Sequence, residues 1–188
     1  MQLFAAVLPP ASATAELADA VASVRPMGHE LDAVPPDEMH LPITNFGNVA
    51  LAETRSLTRA LQADVATWAP VSLQFAGGAA LEWRGDESVW AKLDGDVDGL
   101  GVIGRGIPRS VQRLGFFVDR RQFRPWLAVG TITDHTTAPY LQRLVDGLNA
   151  FAGQTWKLTE VLLMRRQPAD ESGRPGGFET VESFPLGG

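Results

Sequence analysis

Val34-Pro35-Pro36-Asp37-Glu38-Met39-His40-Leu41-Pro42-Ile43-Thr44-Asn45-Phe46-Gly47 and Phe123-Arg124-Pro125-Trp126-Leu127-Ala128-Val129-Gly130 are the stretches whose reading decides the fold. In the first, Pro35-Pro36-Asp37 is turn-forming and Met39 to Phe46 reads as a strand. The second reads as part of a strand from Phe123 to Thr133. Residues two apart on a strand share a face, so one strand presents His40 with Pro42 and the other Trp126 with Ala128. Thr44 falls on Pro42's face, roughly 7 Å further along. Pro42 removes a backbone donor, which points to an edge strand or a bulge. A bulge would also return Phe46 to the core, whereas strict alternation puts it on His40's face.

Outward from these strands the chain alternates strands and helices. Leu3 to Leu8 reads as a strand, and Ala13 to Val24 as a helix with Leu17, Val21 and Val24 on one face. Glu30 to Val34 pairs with Met39 to Phe46 across the Pro-Pro turn. A second helix near Glu53 to Trp68 aligns Leu57, Leu61, Val65 and Trp68. Strands at Val71 to Phe75, broken by Gly77-Gly78, and at Ser88 to Leu93 follow, then a helical segment to about Leu114. Pro139 to Phe151 is a helix with Leu141, Leu144, Val145 and Leu148 on its apolar face. Leu158 to Arg165 and Gly177 to Phe184 read as a final hairpin across a mobile Gly/Pro-rich loop, Pro168 to Gly176. Hairpins between helices favour α+β over a doubly wound parallel sheet. The order strand, helix, hairpin occurs twice, which suggests a weak internal duplication.

The composition of the 188 residues, 45% of them hydrophobic, is that of a globular chain. Its length suits one domain of two lobes, residues 1 to 188. No apolar run approaches the ~18 residues of a membrane span. The opening Met1-Gln2-Leu3-Phe4-Ala5-Ala6-Val7-Leu8 lacks the basic flank of a signal peptide. With no cysteine there is neither a disulfide framework nor a thiolate metal site, and a cytoplasmic, monomeric protein is the expectation. The net charge of −6 argues against a broad nucleic-acid surface, but it is uneven. Residues 1 to 100 hold 5 Lys/Arg against 14 Asp/Glu, and residues 101 to 188 hold 11 against 8. Arg105, Arg109, Arg113, Arg120, Arg121 and Arg124 carry most of that second excess. They read either as a phosphate-attracting cluster or as a solvated helix face.

The chain resembles the RNA 2′,3′-cyclic phosphodiesterases, also described as 2′-5′ RNA ligases, of the two-histidine phosphoesterase superfamily. The resemblance rests on Met1-Gln2-Leu3-Phe4-Ala5-Ala6, the Val34 to Leu41 run, Phe46-Gly47-Asn48-Val49, Leu114-Gly115-Phe116, Phe123-Arg124-Pro125, Gly176-Gly177-Phe178-Glu179 and Phe184-Pro185-Leu186, in that order. It implies a two-lobed α+β fold, two antiparallel sheets around a central cleft with helices outside. It also implies a site in which a His-x-Thr motif from each lobe faces one phosphate. Two imidazoles can then supply the base that activates water and the acid that protonates the departing ribose oxygen. Here the first motif is His40-Leu41-Pro42 and the second Trp126-Leu127-Ala128, and the arginine that commonly follows the second falls on Thr131. Only His40 carries over as a catalytic residue. Thr44 is a candidate for the lost hydroxyl, and Arg124 and Trp126 are candidates for substrate binding. Trp126 cannot accept a proton; it either stacks on a base or, the reading preferred here, plugs the cleft.

Three other features have competing readings. Asp134-His135-Thr136-Thr137 has the His-x-Thr spacing, but nine extended residues span about 30 Å, and an N-cap role for one threonine is the better reading. His29, beside Gly28, has no assigned role. Gly99-Leu100-Gly101-Val102-Ile103-Gly104 has dinucleotide-motif spacing, but the motif requires glycines directly after a strand, and here Asp94-Gly95-Asp96-Val97-Asp98 intervenes while Gly106 and Pro108 follow. No cofactor and no metal cluster of His and carboxylate are expected. Three function classes follow. One is a phosphodiesterase, impaired or inactive, acting on RNA ends or nucleotides with a 2′,3′-cyclic phosphate. The second is a binding protein for such ends, and the third a protein-interaction module on the same fold.

Overall fold

A computed structural model describes residues 1–116, 118, 122–168 and 176–187. The elements are β1 (Gln2–Val7), α1 (Ala11–Ser23), β2 (Leu31–Ala33), β3 (Leu41–Asn48), α2 (Leu51–Val65), β4 (Val71–Ala80), β5 (Ser88–Gly95), α3 (Val97–Gln112), β6 (Trp126–Ile132), α4 (Ala138–Ala150), β7 (Trp156–Leu158), β8 (Glu160–Arg166) and β9 (Phe178–Pro185). The strands form two antiparallel sheets, ordered β3-β1-β8-β9 and β2-β6-β5-β4-β7. The fold is α+β, as expected. The loop from Pro168 to Gly176 lies largely outside the described residues.

The apolar periodicities find their partners in one continuous core. Leu57, Leu61 and Val65 of α2, Leu100, Ile103, Ile107 and Val111 of α3, and Leu144 and Leu148 of α4 are all buried in it. β1 splits by parity: Leu3, Ala5 and Val7 enter this core, while Ala6 belongs to a smaller cluster with Leu162 and Met164, against which Phe4 and Phe178 pack. That second face of the first sheet looks onto the cleft described below.

Two expectations are corrected by long-range pairing. The strands at Leu31 and Leu41 do not pair with each other. β2 runs along β6, with Asp32 opposite Thr131, whereas β3 runs along β1 in the other sheet. The Pro-Pro turn therefore carries the chain from sheet to sheet. Gly77-Gly78 does not end β4 but lies within it at a register shift against β5. Gly77 has a positive φ of 97°, and a Cβ on Gly78 would stand 2.6 Å from the Leu148 Cβ, so the two glycines let α4 lie close on the sheet. The short β7, beside β4, has no counterpart in the sequence reading.

The Gly99 to Gly104 run lies inside α3, capped by Asp96, whose Oδ1 accepts from the Gly99 N–H at 2.9 Å. A Cβ on Gly104 would meet the Phe123 ring at 2.4 Å. The spacing thus serves packing within a helix, not a strand-to-helix phosphate loop.

The approach to α4 is tied by a buried carboxylate. Glu30, 2% exposed, accepts from the Met27 N–H at 2.8 Å and from both the N–H and the hydroxyl of Thr137. Thr137 caps α4 through the Tyr140 N–H, so one of the threonines near His135 does serve as an N-cap. The Thr137 hydroxyl, and after it the Met27 N–H, hold the Glu30 carboxyl below its ordinary pKa against the opposing effect of burial. A lowered carboxylate pKa adds stability above the unfolded value, about 4.3, and loses it as pH falls through the folded value. Glu30→Gln is expected to lower the melting temperature by several degrees at pH 7, with the gap to wild type closing below about pH 4. Thermal melts across pH check this; a gap that does not depend on pH would mean that the carboxylate charge contributes nothing.

Candidate active site

Between the sheets lies a cleft of about 700 Å³, within the roughly 300–1,000 Å³ of small-molecule sites. From the first sheet it is lined by Phe4, His40, Thr44, Arg166 and Phe178, and from the second by Trp90, Trp126 and Arg124, with Trp83 at the rim.

His40 stands one residue before β3. Its Nδ1 lies 2.8 Å from the Glu38 carbonyl. A carbonyl only accepts, so Nδ1 carries the proton and Nε2 of the neutral ring holds the lone pair. The imidazole is packed by two phenylalanines, Phe178 at 4.6 Å and Phe4 at 5.5 Å between ring centroids. Burial is the main cause that lowers its pKa, and the Arg166 charge adds to it; the Glu38 carbonyl and, more weakly, the Glu38 charge oppose. The resting ring is therefore neutral at physiological pH, the state of a general base.

β3 is an edge strand with two register shifts against β1. Pro42 pairs with Ala6 and Thr44 with Ala5, leaving Ile43 as the extra residue. Directly opposed residues point the same way, so the shift separates Thr44 from Pro42's face and corrects the strict-alternation reading. Thr44 turns with Ala5 toward the core. Its Oγ1 is buried and, among the described residues, without a hydrogen-bond partner, although the residue still borders the cleft. The second shift skips Phe46, which is 2% exposed in the core. Pro42 thus occupies an edge strand beside a bulge, as its missing N–H suggests.

On the other wall, Leu127 and Val129 of β6 are fully buried, which leaves Trp126 and Ala128 facing the cleft. Ala128 lies opposite Trp90, and Trp126 opposite Lys92. Trp126 does not plug the cleft. It is half-buried in the wall, its ring 6.4 Å from Trp90 and 5.1 Å from the Lys92 Nζ. Trp90 is oriented by Asp86, whose Oδ2 accepts from the indole Nε1 at 3.0 Å, and Trp83 packs on it at 5.6 Å. The Arg124 guanidinium lies 4.7 Å from the Trp83 ring and 4.9 Å from Trp126.

The other sequence candidates lie elsewhere. His135 is exposed before α4 and is absent from the cleft lining. His29 pairs with Asp32 at 2.6 Å on the surface. The arginine cluster disperses: Arg105 and Arg109 are exposed on α3, Arg113 pairs with Asp64 at 2.6 Å, Arg124 reaches the cleft, and Arg120 and Arg121 lie outside the described residues. No group of His, Cys, Asp and Glu suited to a metal ion occurs among the described residues. The sequence reading missed Phe4, Trp83, Trp90, Arg166 and Phe178. The available signal was the parity of β1, which places Phe4 off the core; Trp83 and Trp90 stand far from Trp126 in sequence, and no local pattern marks them.

No family model matches the chain. It is 26% identical over 151 residues to a Geobacillus stearothermophilus protein named RNA 2′,3′-cyclic phosphodiesterase, covering 80% of this chain and 46% of that one. The chain thus spans about half the length of the curated relative it matches. Among solved structures, a Thermus thermophilus protein superposes with a TM-score of 0.78 at 21% identity, covering 100% of this chain and 99% of that one. The E. coli LigT protein, crystallised with 3′-AMP, superposes with a TM-score of 0.76 at 18% identity, covering 98% and 97%. Other crystals of LigT hold NADP+ and ATP. In its two sheets and central cleft the chain shares the fold of the LigT protein, and by sequence it is similar to a protein named RNA 2′,3′-cyclic phosphodiesterase.

Proposed function

We propose that the cleft binds the phosphate-bearing end of an RNA or a nucleotide, and that hydrolysis of a 2′,3′-cyclic phosphate there is slow or absent. The observation that carries this reading is the facing of His40 by Trp126. One wall offers a neutral imidazole and the other an indole, whose N–H can only donate. Hydrolysis of a cyclic phosphodiester needs a base at the water and an acid at the leaving oxygen in the same step. A single imidazole does one of these, and the loss of the other costs about 10²–10⁴ in rate.

Binding is favoured by what surrounds the imidazole. The lining holds Arg124 and Arg166 and, among the described residues, no carboxylate, although the chain as a whole is at −6. A base has the Trp83, Trp90 and Trp126 faces to stack on, a contact worth about 1–3 kcal/mol per base. The nucleotides held by LigT crystals are in keeping with such a cleft.

Two assays on one preparation test this. Titration with 2′,3′-cyclic AMP is expected to quench tryptophan fluorescence saturably, and Trp126→Ala to lose most of the signal. A short RNA ending in a 2′,3′-cyclic phosphate is expected to turn over about 10²–10⁴-fold more slowly than with the Geobacillus phosphodiesterase, any residual rate vanishing in His40→Ala. A rate matching that enzyme would make the chain a full phosphodiesterase, and an absence of quenching would remove the nucleotide site.

A further inference from the structure

The cleft holds a second set of groups that the two-histidine pattern does not include. Arg166 ends β8 and lies opposite Phe178 of β9 in the ladder. Its guanidinium stands 5.1 Å from the Phe178 ring centroid, and Phe178 is the ring that packs on His40. On the facing wall, Arg124 is held by Trp83 and Trp126. A guanidinium stacked on an aromatic ring uses its face and keeps its five N–H donors free in the plane. Both arginines are exposed, and both border the same cleft.

We propose that Arg166 and Arg124 form a two-guanidinium clamp for a terminal phosphomonoester, so that the cleft prefers RNA or nucleotide ends bearing an opened 2′- or 3′-phosphate to those bearing the cyclic phosphate. This rests on the reading of the cleft as a nucleotide site. The reason is charge matching. With His40 neutral, the described lining residues carry two fixed positive charges and no negative one. A cyclic phosphodiester brings one negative charge and two free oxygens. A monoester brings about −1.5 to −2 at pH 7 and three acceptor oxygens, enough for a fork of donors from each side. The proximity of Arg166 to His40 also disfavours a proton on that ring, beside the larger effect of burial. Such a site would hold the product of ring opening better than the substrate.

The experiment is a fluorescence titration at pH 7.5 with 3′-AMP, 2′,3′-cyclic AMP and adenosine, on wild type, Arg166→Gln and Arg166→Lys. Wild type is expected to bind 3′-AMP about tenfold or more tighter than the cyclic nucleotide, the scale of one charge-assisted hydrogen bond. Arg166→Gln is expected to lose about tenfold or more for 3′-AMP and little for adenosine. Arg166→Lys keeps the charge but not the fork and is expected to fall between. An NMR titration of the His40 ring is expected to give a higher pKa in Arg166→Gln than in Arg166→Lys, because only the lysine keeps the positive charge beside the ring. Equal affinity for the two nucleotides, or 3′-AMP binding indifferent to Arg166, overturns the clamp and leaves the cleft standing as a nucleotide site. If no nucleotide binds wild type, the cleft reading falls and takes the clamp with it.

Discussion

Trp126→His combined with Ala128→Thr is expected to raise hydrolysis of an RNA 2′,3′-cyclic end by about 10²–10⁴-fold, the usual contribution of one proton-transfer group. The geometry favours a gain because the backbone that would carry the second motif is in place. Leu127 and Val129 anchor β6 from behind, Trp126 lines the cleft with His40, and Ala128 lies opposite Trp90, another residue of the lining. The new imidazole would replace an indole that is already half-exposed, so no buried void is opened. The threonine would enter at a position whose cross-strand neighbour is Trp90, on a strand that suits a β-branched residue. His40 would then act as one partner and the introduced imidazole as the other, on opposite sides of the phosphate. Initial rates on the cyclic-ended RNA for wild type, each single variant and the double variant measure the effect. The double variant should exceed Trp126→His alone. A folded double variant with no gain would show that the cleft differs from a working two-histidine site by more than the second motif, with Pro42, which stands in the threonine position of the first motif, as the next residue to change.

Leu127→Ala is expected to destabilise the protein by about 2–5 kcal/mol, the range for truncating a buried leucine. Leu127 is fully buried between the two residues that face the cleft, and it lies opposite Ala91 of β5, itself 1% exposed. Small neighbours of that kind have little side chain with which to fill the space left behind, which places the cost toward the upper part of the range. Urea unfolding followed by circular dichroism gives the difference from the shift in midpoint. A loss below about 1 kcal/mol would mean that the site collapses freely. In that case β6 would not be the rigid support on which Trp126 and Arg124 are presented.

Most of the regular structure was legible because it is local. Helices α1, α2 and α4 follow from apolar residues repeating every three to four positions, and their observed bounds lie within a few residues of those read from the pattern, whereas α3 was read only as a helical segment ending near Leu114. Most of the strands follow from apolar runs and turn residues. The placement of His40 and of Trp126 with Ala128 followed from parity along a strand. Thr44 did not, because the bulge at Ile43 depends on how β3 meets β1, and one extra residue reverses every later side chain. The role of Gly77-Gly78 was misread for a related reason. A glycine pair looks like a break until a helix is seen to need the space.

A resemblance to the two-histidine pattern singled out His40 and Trp126, whereas the residues by themselves determined the α+β class and the approximate positions of the helices. Each of these depends on residue identity or on a period of two or 3.6 within a short segment. Only the tertiary structure decided that β2 crosses to the second sheet and that Trp126 lines the cleft instead of filling it. It alone brought Arg166 and Phe178 to His40, and set Arg113 against Asp64, away from the cleft that Arg124 borders. These outcomes depend on which strands share hydrogen bonds and on the volume left between two sheets. Such quantities are set by contacts between residues far apart in the chain, and no local pattern encodes them.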